Sequence, residues 1–503
     1  LATTSLSSLR FPWVATLLGV GTALLAALAL GETDGHWVYP LDDSYIHLSL
    51  ARELAAHGHW GFGPERTAFS SSSPGYTLLL ALGSWFTGPW AGWPLLLNGL
   101  GGLLLMRQSW RLWPESHAKI PLWLLLMGLL PFPLLVLLGL EHLLHLWAML
   151  GLMQALSRLL AREAPGRYWW LWALAAAALR YESAFLIGSA GLALLWQRQG
   201  RPAWQLGLAG AAVPFLVGLW SVSQGGTWLP LSLLIKGHAP DGLAWLGQGV
   251  ERLYANPFML TTLVALCLGL LPALRRHLPP ARDLANHQWL WLTLAAGLAH
   301  LWFAEVGGYR YEAYWLGLAL VGLGQLMPPR LSWRQGSLPG IALVALLLFP
   351  LLIRSGFFLW HYPQATRNIY QQPYQTAQWL GTYYRGEPVG LNDIGLATYL
   401  GQVELTDMVG VGDQAVCELR QANRFTAAEL DRLLLARGVS LIIGHHTWLG
   451  ARMPERFYPV ATRTVPDNFI LAQDTLTFWV ADSAAEVRLQ QALPALRHPP
   501  GHL

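Results

Sequence analysis

Charge is scarce in this chain. Only 12% of its 503 residues are Asp, Glu, Lys or Arg, and 54% are hydrophobic. A globular chain carries about a quarter charged residues, so an ordinary soluble domain is excluded. The formal net charge is only +4, and no basic block offers a nucleic-acid footprint. Cysteine is scarcer still: Cys267 and Cys417 provide neither zinc spacing nor a disulfide framework. Internal repeats are missing too, and 70–73 is the sole low-complexity tract. Secondary transporters are commonly built from repeated halves, so the absence counts against a transporter.

Tryptophan is abundant, with 27 residues, which fits long membrane–water boundaries where amphipathic rings settle. The first apolar run, 11–30, is long enough to cross a hydrocarbon core of about 30 Å. No small-residue cleavage site follows it, so it reads as an uncleaved first helix. With Arg10 in the cytoplasm, that helix delivers Asp42 and Asp43 to the outside. Residues 43–57 form an amphipathic helix closed by Gly58. Ser73-Pro74 starts another, whose run 75–86 is short for a span and is placed at the outer interface. The spans 91–106, 120–138, 142–160, 168–182, 183–196, 203–221, 258–274, 287–304, 311–327 and 338–353 then alternate. Basic residues fall at each cytoplasmic turn: Arg107, Arg111 and Lys119; Arg158, Arg162 and Arg167; Arg198 and Arg201; Arg275, Arg276 and Arg282; Arg330 and Arg334. That agrees with the positive-inside rule. The expected fold class is a multi-span α-helical membrane protein of about eleven transmembrane helices. It carries a C-terminal extracytoplasmic α/β domain.

Domain boundaries follow composition: 1–357 for the membrane part with its external loop 31–90, 358–483 for the α/β domain, and 484–503 as a loosely ordered tail. Within the α/β domain the pattern predicts helices at 366–384 and 425–437, a helical turn at 394–400, and strands at 388–392, 403–406, 439–443, 458–464 and 476–481. Thr426 and Glu429 have the spacing of a capping box.

Several ionisable residues group at the outer ends of different spans: Asp42 and Asp43, Glu141 with His142, Arg180 and Glu182, Lys236, and Arg310 with Glu312. Charge in hydrocarbon costs a few kcal/mol or more, so such groups mark a site by default. Carboxylates can activate a nucleophile or hold a metal, and the cations can bind an anion such as phosphate. Each has a plainer alternative. One aspartate can cap the 43–57 helix; Arg180 with Glu182, and Arg310 with Glu312, can be structural ion pairs; Lys236 can snorkel. His47, His57 and His59 read as interfacial or solvated side chains more readily than as metal ligands.

The stretch Asp42-Asp43-Ser44-Tyr45-Ile46, then Ala51-Arg52, His57-Gly58-His59-Trp60-Gly61-Phe62 and Ser72-Ser73-Pro74, resembles the first external loop of GT-C superfamily glycosyltransferases. The similarity is to the bacterial branch that includes the mycobacterial arabinofuranosyltransferases. Gly139-Leu140-Glu141, Leu179-Arg180-Tyr181-Glu182, the 226–236 stretch with Pro230, Ser232 and Lys236, and Arg310-Tyr311-Glu312 continue it. So do Asn392-Asp393-Ile394-Gly395 and Thr406-Asp407-Met408-Val409-Gly410. Tyr181, where a proline is usual, and Gly75, where a bulkier residue is frequent, depart from the pattern.

The resemblance implies an inverting glycosyltransferase of the inner membrane that moves a hexose or pentose. The donor would be a sugar on polyprenyl phosphate, and the acceptor a glycan, lipid or protein on the extracytoplasmic (periplasmic) face. Asp42 would be the general base, with Asp43 tuning it or positioning the acceptor. Lys236 and Arg310 would stabilise the departing lipid phosphate, and Glu141, Arg180 and Glu182 would line the wall or hold the sugar. No metal is assigned. The alternatives are a non-catalytic subunit on the same scaffold, or a lipid or solute transporter.

Overall fold

The computed structural model describes residues 6–63, 67–113, 119–237, 244–272, 280–308, 310–326 and 337–497. Arg275, Arg276, Arg330 and Arg334, expected at cytoplasmic turns, lie outside them, as does the end of the tail after 497. The chain divides into two compact units. One gathers Leu1–Leu24, Leu95–Leu216 and Ala239–Trp360; the other gathers Leu25–Pro94, Val217–His238 and His361–Leu503. The external loop 31–90 was expected with the membrane domain, whereas its contacts group it with the C-terminal residues.

In chain order the helices are α1 Leu6–Gly31, α2 Asp43–His57, α3 Pro74–Thr87, α4 Trp93–Leu112, α5 Lys119–Leu129, α6 Phe132–Leu137, α7 His142–Leu160, α8 Trp170–Leu179, α9 Ser183–Trp196, α10 Gly200–Ser223 and α11 Leu231–Lys236. They continue with α12 Ala244–Ala255, α13 Pro257–Gly269, α14 Pro280–Phe303, α15 Ala313–Gly324, α16 Ser337–Leu347, α17 Phe349–Ile369, α18 Gln375–Tyr383, α19 Gln414–Gln421, α20 Ala427–Ala436 and α21 Ser483–Arg497.

The first unit is helical. Among the described residues, Phe11–Gly31, His142–Leu160 and Gly200–Ser223 are long and apolar enough to cross a membrane. Lys119–Leu129, Trp170–Leu179, Ser183–Trp196, Pro257–Gly269 and Ala313–Gly324 are apolar but shorter. The sequence expectation of continuous spans is therefore too simple. The 120–138 run is divided between α5 and α6, because Pro131 and Pro133 lack the N–H that a continuing helix needs. The 168–182 run stops at Leu179, where Arg180 extends with φ −161°. The 338–353 run is split between α16 and α17. Helix α17 then passes residue 357, the expected domain boundary, and a π turn over Tyr370–Tyr374 joins it to α18.

The second unit is built on a five-stranded sheet: β1 Pro388–Leu391, β2 Glu404–Asp407, β3 Leu441–Gly444, β4 Tyr458–Thr464 and β5 Thr475–Val480. The order is β2-β1-β3-β5-β4. β1 pairs parallel with both β2 and β3, while β5 runs antiparallel to β3 and β4. Alternating side chains separate two cores. Ile442 and Trp479 join Met408, Val416, Leu430 and Leu434 on one side. Val389, Leu391, Ile443 and Phe478 join Trp379, Leu380, Leu489 and Leu493 on the other. Leu50, Trp60, Phe62 and Phe69 of the loop region belong to that second core, which is why 31–90 cannot be separated from the sheet.

Two further expectations change. The tail is not loose through its first part: α21 buries Leu489 and Leu496, and the Trp379 indole donates to the Ala492 carbonyl at 2.9 Å. Thr426 does cap α20, accepting from the Glu429 N–H at 3.3 Å. The Glu429 carboxylate, however, bonds Arg424 and Arg432, so no reciprocal bond completes a capping box.

Candidate active site

The sequence-selected residues fall into two groups, one in each unit. Asp42, Asp43 and Lys236 lie in the second unit; Glu141, Arg180, Glu182, Arg310 and Glu312 lie in the first.

In the second unit the organising contact is between α2 and the helical turn that follows β1. Asp42 occupies the N-cap position of α2, yet its side chain makes no capping bond there. Its carboxylate crosses to the other segment instead, accepting from the Gly395 N–H at 2.6 Å and the Leu396 N–H at 2.8 Å. About two turns further along α2, the Ser49 hydroxyl lies 2.9 Å from that of Thr398. Arg52 donates to the Thr398 and Tyr399 carbonyls at 3.2 and 2.8 Å. The carboxylate thus meets free N–H groups and the guanidinium meets free carbonyls, the arrangement favoured by a helical turn's dipole. A Cβ on Gly395 would stand 2.2 Å from the Asp42 carbonyl oxygen and 2.9 Å from Oδ2, so only glycine permits this approach.

Asp393, two residues before Gly395, brings a third carboxylate to the acid pair. Burial, then the negative charges of Asp393 and Asp43, push the Asp42 carboxyl up from 3.8 to about 7, against the lowering effect of the two N–H donors. Asp43 opens the first turn of α2 and is half-buried. Lys236 ends α11, a helix whose Ile235 side chain lies close to Gly410; the Lys236 side chain is outside the described ones. Nearby, Asp407 closes its own loop by accepting from the Val409 and Gly412 N–H groups at 2.8 and 2.6 Å. His47 is buried, with Nδ1 2.9 Å from the Thr77 hydroxyl, and His57 lies 3.2 Å from Glu53. Both have ordinary polar partners. The described residues hold no group of three or more His, Cys, Asp or Glu placed to bind a metal.

The first unit arranges its charges differently. Arg180 extends between α8 and α9 and forms a bidentate pair with Glu182, with Nε–Oε2 at 3.1 Å, while Nη1 donates to Glu141. Glu312 accepts from Arg354, a cation the sequence reading did not include, and from the Gly307 N–H at 3.0 Å. Arg310 lies over the Tyr311 ring, 4.8 Å from its centroid, and Arg180 approaches the same ring at 5.9 Å. Buried alongside are His145, 2.8 Å from the Ser183 hydroxyl, and Tyr314, whose hydroxyl is 3.2 Å from His300 Nδ1. Histidines inside apolar helices were the signal for these last groups, but no spacing distinguished them.

This architecture resembles that of solved proteins. ArnT from Cupriavidus metallidurans bound to undecaprenyl phosphate is 14% identical with TM-score 0.52, covering 94% of this chain and 99% of that one. The apo form of the same protein gives 14% and 0.52, with 93% and 98% covered. The likeness shows that the chain shares the fold of these proteins. At this identity the likeness reaches the fold and not the arabinofuranosyltransferase branch. Residues 367–487 match a family model described as a domain of unknown function, DUF8728. No curated protein matches the chain in sequence.

Proposed function

We propose that the protein is an inverting glycosyltransferase of the inner membrane, transferring a sugar from a polyprenyl-phosphate donor to an acceptor on the extracytoplasmic face. The observation that carries this reading is the Asp42 carboxylate: fixed by two N–H donors, crowded by two further acids, and titrating near neutrality, where a general base works best. The fold it shares with ArnT, which was crystallised with undecaprenyl phosphate, supports the donor class.

In this mechanism the acceptor hydroxyl attacks the anomeric carbon as Asp42 takes its proton. The bond between that carbon and the phosphate oxygen breaks, and polyprenyl phosphate leaves with the electron pair. Asp43 positions the acceptor. Lys236 stabilises the phosphate, whose negative charge grows as the bond breaks. Arg310, Glu141, Arg180, Glu182 and Glu312, all in the first unit, are proposed as substrate-binding residues in their own right.

A second reading, a non-catalytic subunit, is favoured by one fact: both oxygens of Asp42 already serve a structural joint. Purified protein in sealed proteoliposomes, given a labelled sugar on polyprenyl phosphate and an acceptor extract, decides between them. Label transferred with inverted anomeric configuration and release of polyprenyl phosphate is the expected result. Donor left intact across an acceptor series would support the subunit, and vectorial movement of intact donor would support a transporter.

A further inference from the structure

We infer that the C-terminal module contributes a working part to the acid centre. Asp393 is a third carboxylate that sets the charge felt by Asp42, and His445 is the positioning residue that holds Asp393. This inference rests on the transferase reading and deepens it.

Sheet topology provides the first ground. β1 is flanked by β2 on one side and β3 on the other, so the chain leaves β1 in one direction and returns on the opposite side. Open α/β sheets do their chemistry at the carboxyl ends of the strands beside such a reversal. Asn392 and Asp393 follow β1 there, and His445 follows β3.

The side chains provide the second. The Asn392 side-chain oxygen Oδ1 accepts from the His445 backbone N–H at 3.1 Å, fixing the two strand ends together. His445 is fully buried, and its Nδ1 lies 3.2 Å from the Thr475 carbonyl, which makes Nδ1 the donor. The other ring nitrogen, Nε2, has no hydrogen-bond partner and lies 3.5 Å from the Asp393 carboxylate. With Nδ1 donating to Thr475, Nε2 holds the Asp393 carboxylate when it too carries a proton, so the grip depends on the charge of the imidazole. Asp393 itself keeps a third of its side-chain surface in solvent. The loop carrying it also supplies the Gly395 and Leu396 N–H groups to Asp42.

Among the described residues, the titratable groups acting on Asp42 are Asp43 on its own helix and Asp393 from the β1 loop, and Asp42 in turn acts on Tyr45. Those acting on His445 are Asp393 and Asp474. Asp393 pushes the proton affinity of Asp42 up, and raises that of His445 as well, although burial opposes it there. When His445 is protonated it offsets the charge of Asp393, and the push on Asp42 weakens. The two replacements therefore act in opposite directions.

The experiment uses the full chain in nanodiscs with a polyprenyl-phosphate sugar, comparing wild type, Asp393→Asn, Asp393→Glu and His445→Gln. Two quantities are followed against pH: transfer rate and thermal unfolding midpoint. Asp393→Asn should move the acidic limb of the rate profile down by about one pH unit, the size expected on losing a neighbouring like charge. His445→Gln should move it up, and Asp393→Glu should restore the wild-type limb. The inflection of the unfolding profile should move in the same senses. Profiles that coincide for all four proteins, or Asn and Gln variants that shift together, would overturn the proposal. If no protein transfers sugar, the transferase reading fails, and the unfolding profiles alone still decide whether Asp393 and His445 act on Asp42.

Discussion

The two units use the same residue types to opposite ends. In the first, buried carboxylates meet guanidinium groups: Glu141 and Glu182 share Arg180, and Glu312 has Arg354. Each carboxylate there faces a guanidinium, which offsets its charge and holds it in place. In the second, carboxylates collect near one another, and Asp42 is held by backbone N–H groups that carry no formal charge. Cancellation is incomplete there, so a proton is easily gained or lost near neutral pH. Pairing builds a scaffold; crowding builds a reactive group.

The largest expected consequence of this contrast lies in the first unit. Arg180→Met removes the guanidinium that Glu141 and Glu182 share in a buried setting and should destabilise the protein by about 3–5 kcal/mol, read by denaturant or thermal unfolding in detergent. A loss below 1 kcal/mol would show that the cluster is solvated and not a scaffold. Next comes Gly395→Ala, which drives a methyl into the Asp42 backbone and carboxylate. Overpacking of this kind costs about 1–3 kcal/mol, and here the transfer rate should fall with it because Asp42 is displaced. An alanine variant with wild-type rate and unfolding midpoint would separate the joint from the chemistry.

The pH dependence sharpens the comparison. Asp42 binds its proton more tightly folded than unfolded, with a carboxyl at about 7 against 3.8. Its contribution to stability is therefore greatest below pH 4 and declines as pH rises towards 7. Replacing Asp42 by Asn should flatten that part of the unfolding profile, and a profile with undiminished slope would contradict the assignment. The smallest effect serves as the control: Thr426→Ala removes the cap of α20 and should cost about 1 kcal/mol, with no change in transfer per folded molecule.

How far the sequence reached depends on the range of the interaction. Helices α7 and α9 begin and end where their apolar runs do, and β4 matches its alternating stretch, because hydrophobic period and local breakers decide these. The Thr426 cap was legible for the same reason. Pro131 and Pro133 were visible too, but total hydropathy hid their effect on the 120–138 run. The polar character of α21 and its Pro494 disguised a helix whose few leucines are buried. Least legible was the acid centre itself. Asp42 and Gly395 are 353 residues apart, and nothing local to Asn392-Asp393-Ile394-Gly395 says that its backbone receives the first loop's carboxylate. His445 carried no spacing signal at all, since its partnership with Asp393 arises only when β1 and β3 pair.

The most direct test is turnover by Asp42→Asn, normalised to folded protein and compared with wild type using a polyprenyl-phosphate sugar near pH 7. Loss of a general base lowers the rate by about 10²–10⁴-fold, and that loss is expected here per folded molecule, with the unfolding midpoint lowered because an amide nitrogen cannot accept one of the two N–H bonds. Turnover within a few fold of wild type would remove Asp42 as the base and leave it a structural joint.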